Sequence, residues 1–310
     1  MRQPTAHRHA WVRGAAVTLI AATSLSASLF AGGQAAKIAR TPDGQPDIRG
    51  VWAKVGGGLS EAKPPYSPLQ EGGEAFGANA EPEGFSNVTT ERPKIAPNVC
   101  IGPACRGTAT LKPTGVVDPA DRVLPWRADA DAARKDFLSK MNPAVSWGHL
   151  EMNARCAPPP PFAGMPPKYS AAVQFLQRKG EVTMIFEDDH ASRTIHLDGR
   201  PHLGPTFKLF MGDSIGRWEG NTLVVDTTNL NGLAQVSRSF PYLSDALHLI
   251  ERFTVVDANL MDYDIIYDDP KLFTRPIKSV GYMVRGFKEY EIREEGCHEG
   301  SRTLRNIFGF

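Results

Sequence analysis

From residue 172 onward, apolar and polar side chains alternate with a period of two in short runs, each closed by a Gly, Asn or Asp turn. That is the pattern of strands with one buried and one wetter face. The runs are 172–178, 182–187 and 191–197, ending at Lys179-Gly180, Asp188-Asp189 and Asp198-Gly199-Arg200-Pro201. Next come 215–218 and 222–227 about Glu219-Gly220-Asn221, and 246–255 and 260–267 joined through Asp257-Ala258-Asn259. The last pair is 279–285 and 287–293 across Gly286. With a strand around Trp52, roughly eight to ten antiparallel strands on short connections predict a mainly β protein, an up-and-down barrel or strongly curved sheet.

Upstream the alternation is lost. Nineteen of the 25 prolines fall between Lys37 and Ser170, a density that excludes mostly regular structure. One short helix is expected, following Asp118-Pro119 or beginning near Asp129, with Ala132, Ala133, Phe137, Leu138 and Met141 on one face. The rest of residues 37–170 is expected as extended chain packed on a barrel formed by residues 171–310.

Residues 1–36 have the layout of an export signal. Arg2, Arg8 and Arg13 precede a small, apolar stretch from Gly14 to Phe30, and Ala31-Gly32-Gly33-Gln34-Ala35-Ala36 offers a cleavage site near Ala35 or Ala36. The stretch is short and diluted with Thr and Ser compared with the roughly 20 strongly apolar residues of a spanning helix. Removal takes away three Arg and no acid, lowering the formal net charge of +1 by three. The remainder has no basic run of the kind nucleic-acid binders carry. A periplasmic or secreted chain is therefore expected, with no nucleic-acid partner and no stable membrane insertion; the oligomeric state is not legible.

Four cysteines suit an oxidising compartment. Cys100 and Cys105 flank a Gly-Pro turn, and a Cys156–Cys297 pair would close a loop of about 140 residues, contributing about 4 to 5 kcal/mol in the chain-entropy view. Free thiols are the alternative; no Cys spacing matches a zinc site, and no metal is expected.

Gly50-Val51-Trp52 is similar to the Gly-x-Trp motif that opens lipocalin-like (calycin) barrels, whose Trp packs across the closed end. The long Pro-rich insertion before the second strand departs from the usual lipocalin meander. The stretch from Thr41-Pro42-Asp43-Gly44 to Trp52 resembles a large group of exported bacterial proteins of unassigned function. Asp198-Gly199-Arg200-Pro201, Gly216-Arg217-Trp218-Glu219-Gly220-Asn221-Thr222-Leu223-Val224-Val225, Ser244-Asp245-Ala246-Leu247, Glu251-Arg252-Phe253 and Asp268-Asp269-Pro270 carry the same resemblance. It implies fold and export and brings no chemistry.

Charges on otherwise apolar faces mark the candidate site. Glu251 shares a face with Leu247, Leu249, Phe253 and Val255, and Arg193 with Ala191, Ile195 and Leu197, so both should point inward and find partners, each other included. A closed ion pair that fixes register is the alternative role. Glu251→Gln is expected to leave the fold intact and abolish ligand turnover or binding. His190 and His202 bracket one strand beside Asp188, Asp189 and Asp198, and Tyr263 and Tyr267 share a face with Ile265; these supply further acid–base groups. His196 and His248 fall on outward faces. Cys297-His298-Glu299 does not form a thiol–base pair, since neighbours on a strand point opposite ways.

No Gly-x-Ser-x-Gly, Walker loop, Gly-x-Gly-x-x-Gly or His-Glu-x-x-His occurs in residues 37–310, so the chemistry expected needs no cofactor. The first expectation is an enzyme, a lyase, isomerase, cyclase or hydrolase, acting on an apolar or aromatic small molecule in the barrel. Glu251, Arg193, His190 and Tyr267 would be its catalytic groups, with His202, Tyr263 and Phe253 binding substrate. The alternatives are a periplasmic carrier of hydrophobic ligands and an envelope-associated structural protein with a packed barrel.

Overall fold

In a computed structural model of the chain, residues 38–56, 58–59, 115–141, 144–150, 155–156, 172–187, 191–233, 242–286 and 291–292 are described. The expected signal segment, Cys100, Cys105, Cys297 and His190 lie outside them. Cys156, the one cysteine described, is not a free thiol.

Among the described residues ten strands form one sheet: β1 (Gly50–Gly56), β2 (Gly115–Asp118), β3 (Ala172–Arg178), β4 (Glu181–Phe186), β5 (Ser192–His196), β6 (Asp213–Glu219), β7 (Thr222–Thr228), β8 (His248–Val255), β9 (Leu260–Asp268) and β10 (Ile277–Arg285). Pairing of β1 with β10, from Trp52↔Arg285 to Gly56↔Gly281, closes nine of them into a barrel. Where β1 ends, β2 takes over the same edge of β10, at Val280↔Gly115 and Lys278↔Asp118.

A closed ring in which every neighbour is antiparallel needs an even number of strands. Nine therefore force one parallel contact, and it lies between β5 and β6, at Ile195↔Ser214 and His196↔Ile215. Residues 197–212 provide the crossover it requires, running from the end of β5 back to the start of β6. Here the structure differs from an all-antiparallel meander, because strand direction is not encoded in alternation.

Alternation is kept almost without error: β4 and β8 bury every second residue along their length. The inward set includes Phe175, Met184, Ile195, Leu223, Leu249, Phe253 and Met261, all without exposed surface. Trp52 closes one end. Its indole N–H donates to the Ile48 carbonyl at 2.8 Å, and the Arg285 guanidinium lies 4.2 Å over its ring. Arg285 also donates to the carbonyls of Ala258, Arg49 and Asp47, tying the chain before β1 across that end. Burial lowers the Arg285 pKa from its ordinary value, with Asp47 opposing.

One helix, α1 (Ala128–Ser139), lies within the range expected. It buries no residue: Ala132 and Ala133 are exposed, while Phe137 is half-buried against His149 and Tyr242. Of the expected strand 287–293, Glu291 and Ile292 are described and are not in a strand; the rest lies outside the described residues. Among the described residues no helix is long and apolar enough to cross a membrane.

Candidate functional site

Because side chains alternate, β5 turns Arg193 inward, β6 Ser214, β7 Thr227, β8 Glu251 and β9 Tyr263. The five meet inside the barrel. Arg193 Nη2 lies 2.5 Å from Glu251 Oε2, and the two side chains are 1% and 0% exposed. The same nitrogen donates to Thr227 Oγ1 at 3.0 Å, and Arg193 Nε donates to Ser214 Oγ at 2.9 Å. The two hydroxyls are themselves 3.0 Å apart. Tyr263 Oη donates to the other carboxylate oxygen, Glu251 Oε1, at 2.8 Å. Both Glu251 oxygens are thus met by donors, the condition under which a buried charge is tolerated.

Tyr267 is buried on the same face of β9, opposite Leu249 of β8 and Ile277 of β10. Burial first, and the Glu251 charge second, push both tyrosine phenols well above their ordinary range. Each therefore keeps its proton, and Tyr263 gives its own to the hydrogen bond with Glu251. Phe253 packs 4.9 Å from Tyr263 and edge-on to Phe175 at 5.8 Å, giving the polar group an aromatic wall. Five of the seven expected site residues, Glu251, Arg193, Tyr267, Tyr263 and Phe253, share this interior. His190 lies outside the described residues.

His202 is not brought to this group, which corrects its expected place. It belongs to the crossover, on the outer wall, with its ring between two carboxylates. Nδ1 is 2.8 Å from Asp213 Oδ2 and Nε2 is 3.1 Å from Asp226 Oδ1. His248 Nε2 meets that same Asp226 oxygen at 2.8 Å. Hydrogen bonding to Asp226 raises the His248 pKa against a smaller opposing desolvation, and the same bond lowers that of Asp226. The outward place expected for His248 is the one it occupies. The chain Asp213–His202–Asp226–His248 was not foreseen. The available signal was that Asp213 and Asp226 alternate with inward Ser214 and Thr227. Among the described residues no group of three or more His, Cys, Asp or Glu is placed to hold a metal ion.

No protein-family model matches the chain, and no curated protein matches it either. Among solved structures it is similar to a mutant of the fluorescent protein UnaG, at 11% identity, covering 38% of this chain and 72% of that one. The TM-score of 0.24 is too low for that likeness to bear on fold or function.

Proposed function

We propose that the protein binds a small apolar or aromatic molecule inside the barrel and moves a proton on it without a cofactor. One observation carries this reading: a carboxylate, a guanidinium and a phenol meet in an interior otherwise walled by aromatic and aliphatic side chains. In this reading a ligand oxygen displaces one Glu251 oxygen from Arg193, which then faces the negative charge developing there. The freed carboxylate takes the proton, and Tyr263, held protonated, donates a hydrogen bond to the same ligand oxygen. Phe253 stacks on an aromatic ligand.

The test incubates the purified protein with a panel of small aromatic and alicyclic carbonyl compounds and follows each by mass spectrometry alongside equilibrium binding. Binding with conversion is expected, and Glu251→Asp, which withdraws the carboxylate but keeps its charge, should slow conversion by about 100-fold or more. Binding with unchanged recovery of every compound would make the protein a carrier and overturn the catalytic half. No binding at all would overturn the whole reading.

We also propose that the chain is exported. The basic, then apolar, then small-residue order of residues 1–36 supports this. N-terminal sequencing of protein recovered from its own cells should begin at Ala36 or Lys37, and a retained Met1 would refute it.

A further inference from the structure

The barrel wall is thinnest at its parallel contact. Every other junction of the ring carries a longer ladder, while β5 and β6 are paired only at Ile195↔Ser214 and His196↔Ile215. These rungs join the end of β5 to the start of β6, and no backbone pairing to β6 is made at the start of β5, from Ser192 to Thr194. There the gap is bridged from inside by Arg193, whose bonds to Ser214, Thr227 and Glu251 reach β6, β7 and β8. The residue that closes the seam from within thus belongs to the proposed site.

From outside, the crossover that enters β6 is fastened to the wall by polar contacts. His202 joins Asp213 of β6 to Asp226 of β7, and the Leu203 amide adds a bond to Asp213 Oδ2 at 2.9 Å. Asn229 Nδ2 donates to the carbonyls of Leu203 and Gly204, and Leu209 pairs with the backbone around Leu230. Each ring nitrogen of His202 faces a carboxylate oxygen. A neutral imidazole has one N–H and one lone pair, so both contacts are hydrogen bonds only while the ring carries both protons. Loss of either proton sets a nitrogen lone pair against a carboxylate.

We propose that the β5/β6 seam is the gate of the barrel and that His202, clamped between Asp213 and Asp226, is its latch, holding the crossover down while protonated and releasing it in base. That the gate admits a ligand rests on the function proposed above; the latch does not. The charges around it are Asp213 on β6, Asp226 on β7 and His248 on β8, with Asp268 of β9 acting on His248, and on the crossover itself Arg200, paired with Asp198 and within the fields of Asp213 and Glu181. His248 differs, since it meets Asp226 through Nε2 alone and a neutral ring can keep that N–H.

Hydrogen exchange of the full chain tests the latch, read at the Leu203 and Leu209 amides as protection factors from about pH 6 to about pH 9. Protection should fall by about tenfold or more across that range, as expected when a charge-assisted hydrogen bond is lost. The fall should disappear in His202→Gln and persist in His248→Gln. Flat protection in the wild-type protein, or a fall that persists in His202→Gln, would overturn the latch. Nitrogen-15 shifts of the wild-type ring, followed over the same range, give a readout that needs no variant: protection should fall together with loss of one ring proton, and a fall while the ring keeps both protons would equally overturn it. Uptake of anilinonaphthalene sulfonate, followed by fluorescence, separates the two proposals. Uptake that quickens as protection falls supports the gate; a responsive latch with no uptake at any pH would remove the gate and the interior ligand site together while leaving the clamp.

Discussion

Glu251 has no exposed surface, and its two oxygens meet Arg193 and Tyr263, so its replacement removes the anion from a buried ion pair and the acceptor from two buried donors. Glu251→Gln, which the sequence alone suggested would leave the fold intact, should therefore lower stability by about 3 to 5 kcal/mol in urea unfolding. Replacing both partners, as in Arg193→Met with Glu251→Leu, should recover much of that loss, because the two buried charges are removed together. A double replacement as unstable as the sum of the singles would refute the pairing. Arg193 and Glu251 were legible as charges among alternating apolar residues. Ser214 and Thr227 were not, since small hydroxyls are common on either face of a strand, and His202 was misplaced because a loop residue has no alternation to fix its side. On the outer wall, His248 has its pKa raised by Asp226, so its contribution is complete below about pH 6.5 and fades as pH rises through the folded-state value. More than a third of that side chain is exposed, so after solvent screening the contribution is below about 1 kcal/mol. His248→Gln should shift the urea midpoint more at about pH 6 than at about pH 9; an equal shift at both would contradict the charge pairing.

At the scale of elements, the seam between β5 and β6 makes two glycines indispensable. A Cβ on Gly216 would lie 2.8 Å from Ile195 Cγ2 and 3.0 Å from the Val224 carbonyl oxygen, just where β5 packs over β6. At Gly212, where the crossover ends, φ is +68° and a Cβ would fall 2.7 Å from the Thr228 carbonyl oxygen. Gly216→Ala should cost about 1 to 3 kcal/mol by overpacking, and Gly212→Ala more, since backbone strain adds to the clash. Equal thermal midpoints for wild type and Gly212→Ala would show that the crossover does not take this course. Most strands were legible to within a residue or two because a half-buried strand writes its face into the sequence. The parallel contact was not, since two residue pairs leave no separate pattern, and β2 was hidden in a proline-rich segment where four residues offer too short a period to see. The α1 face was misjudged for a related reason: the helix is held by partial contacts at Phe137 and Arg134 rather than by a buried stripe.

For the whole molecule, one end of the barrel is sealed by Trp52 under Arg285, and the polar group sits farther along the interior. Trp52→Ala should cost about 3 to 5 kcal/mol by opening a cavity at that end. Arg285→Met should cost less, losing the stacked cation and the carbonyl contacts while keeping apolar volume. Similar losses from the two would mean that the guanidinium, and not the indole, organises the closure. The Gly-x-Trp motif made this end legible from three residues. The interior polar group could be placed but not identified with a role, because an Arg–Glu–Tyr group inside a barrel has the same residues whether it fixes register, holds a ligand or moves a proton. A crystal structure of the protein soaked with an aromatic carbonyl compound that it binds distinguishes these roles most directly. Ligand density inside the barrel is expected, its oxygen within hydrogen-bonding distance of Arg193 and Tyr263 and its ring against Phe253. An interior filled by side chains, with Arg193 and Glu251 still paired and the compound bound elsewhere, would contradict it.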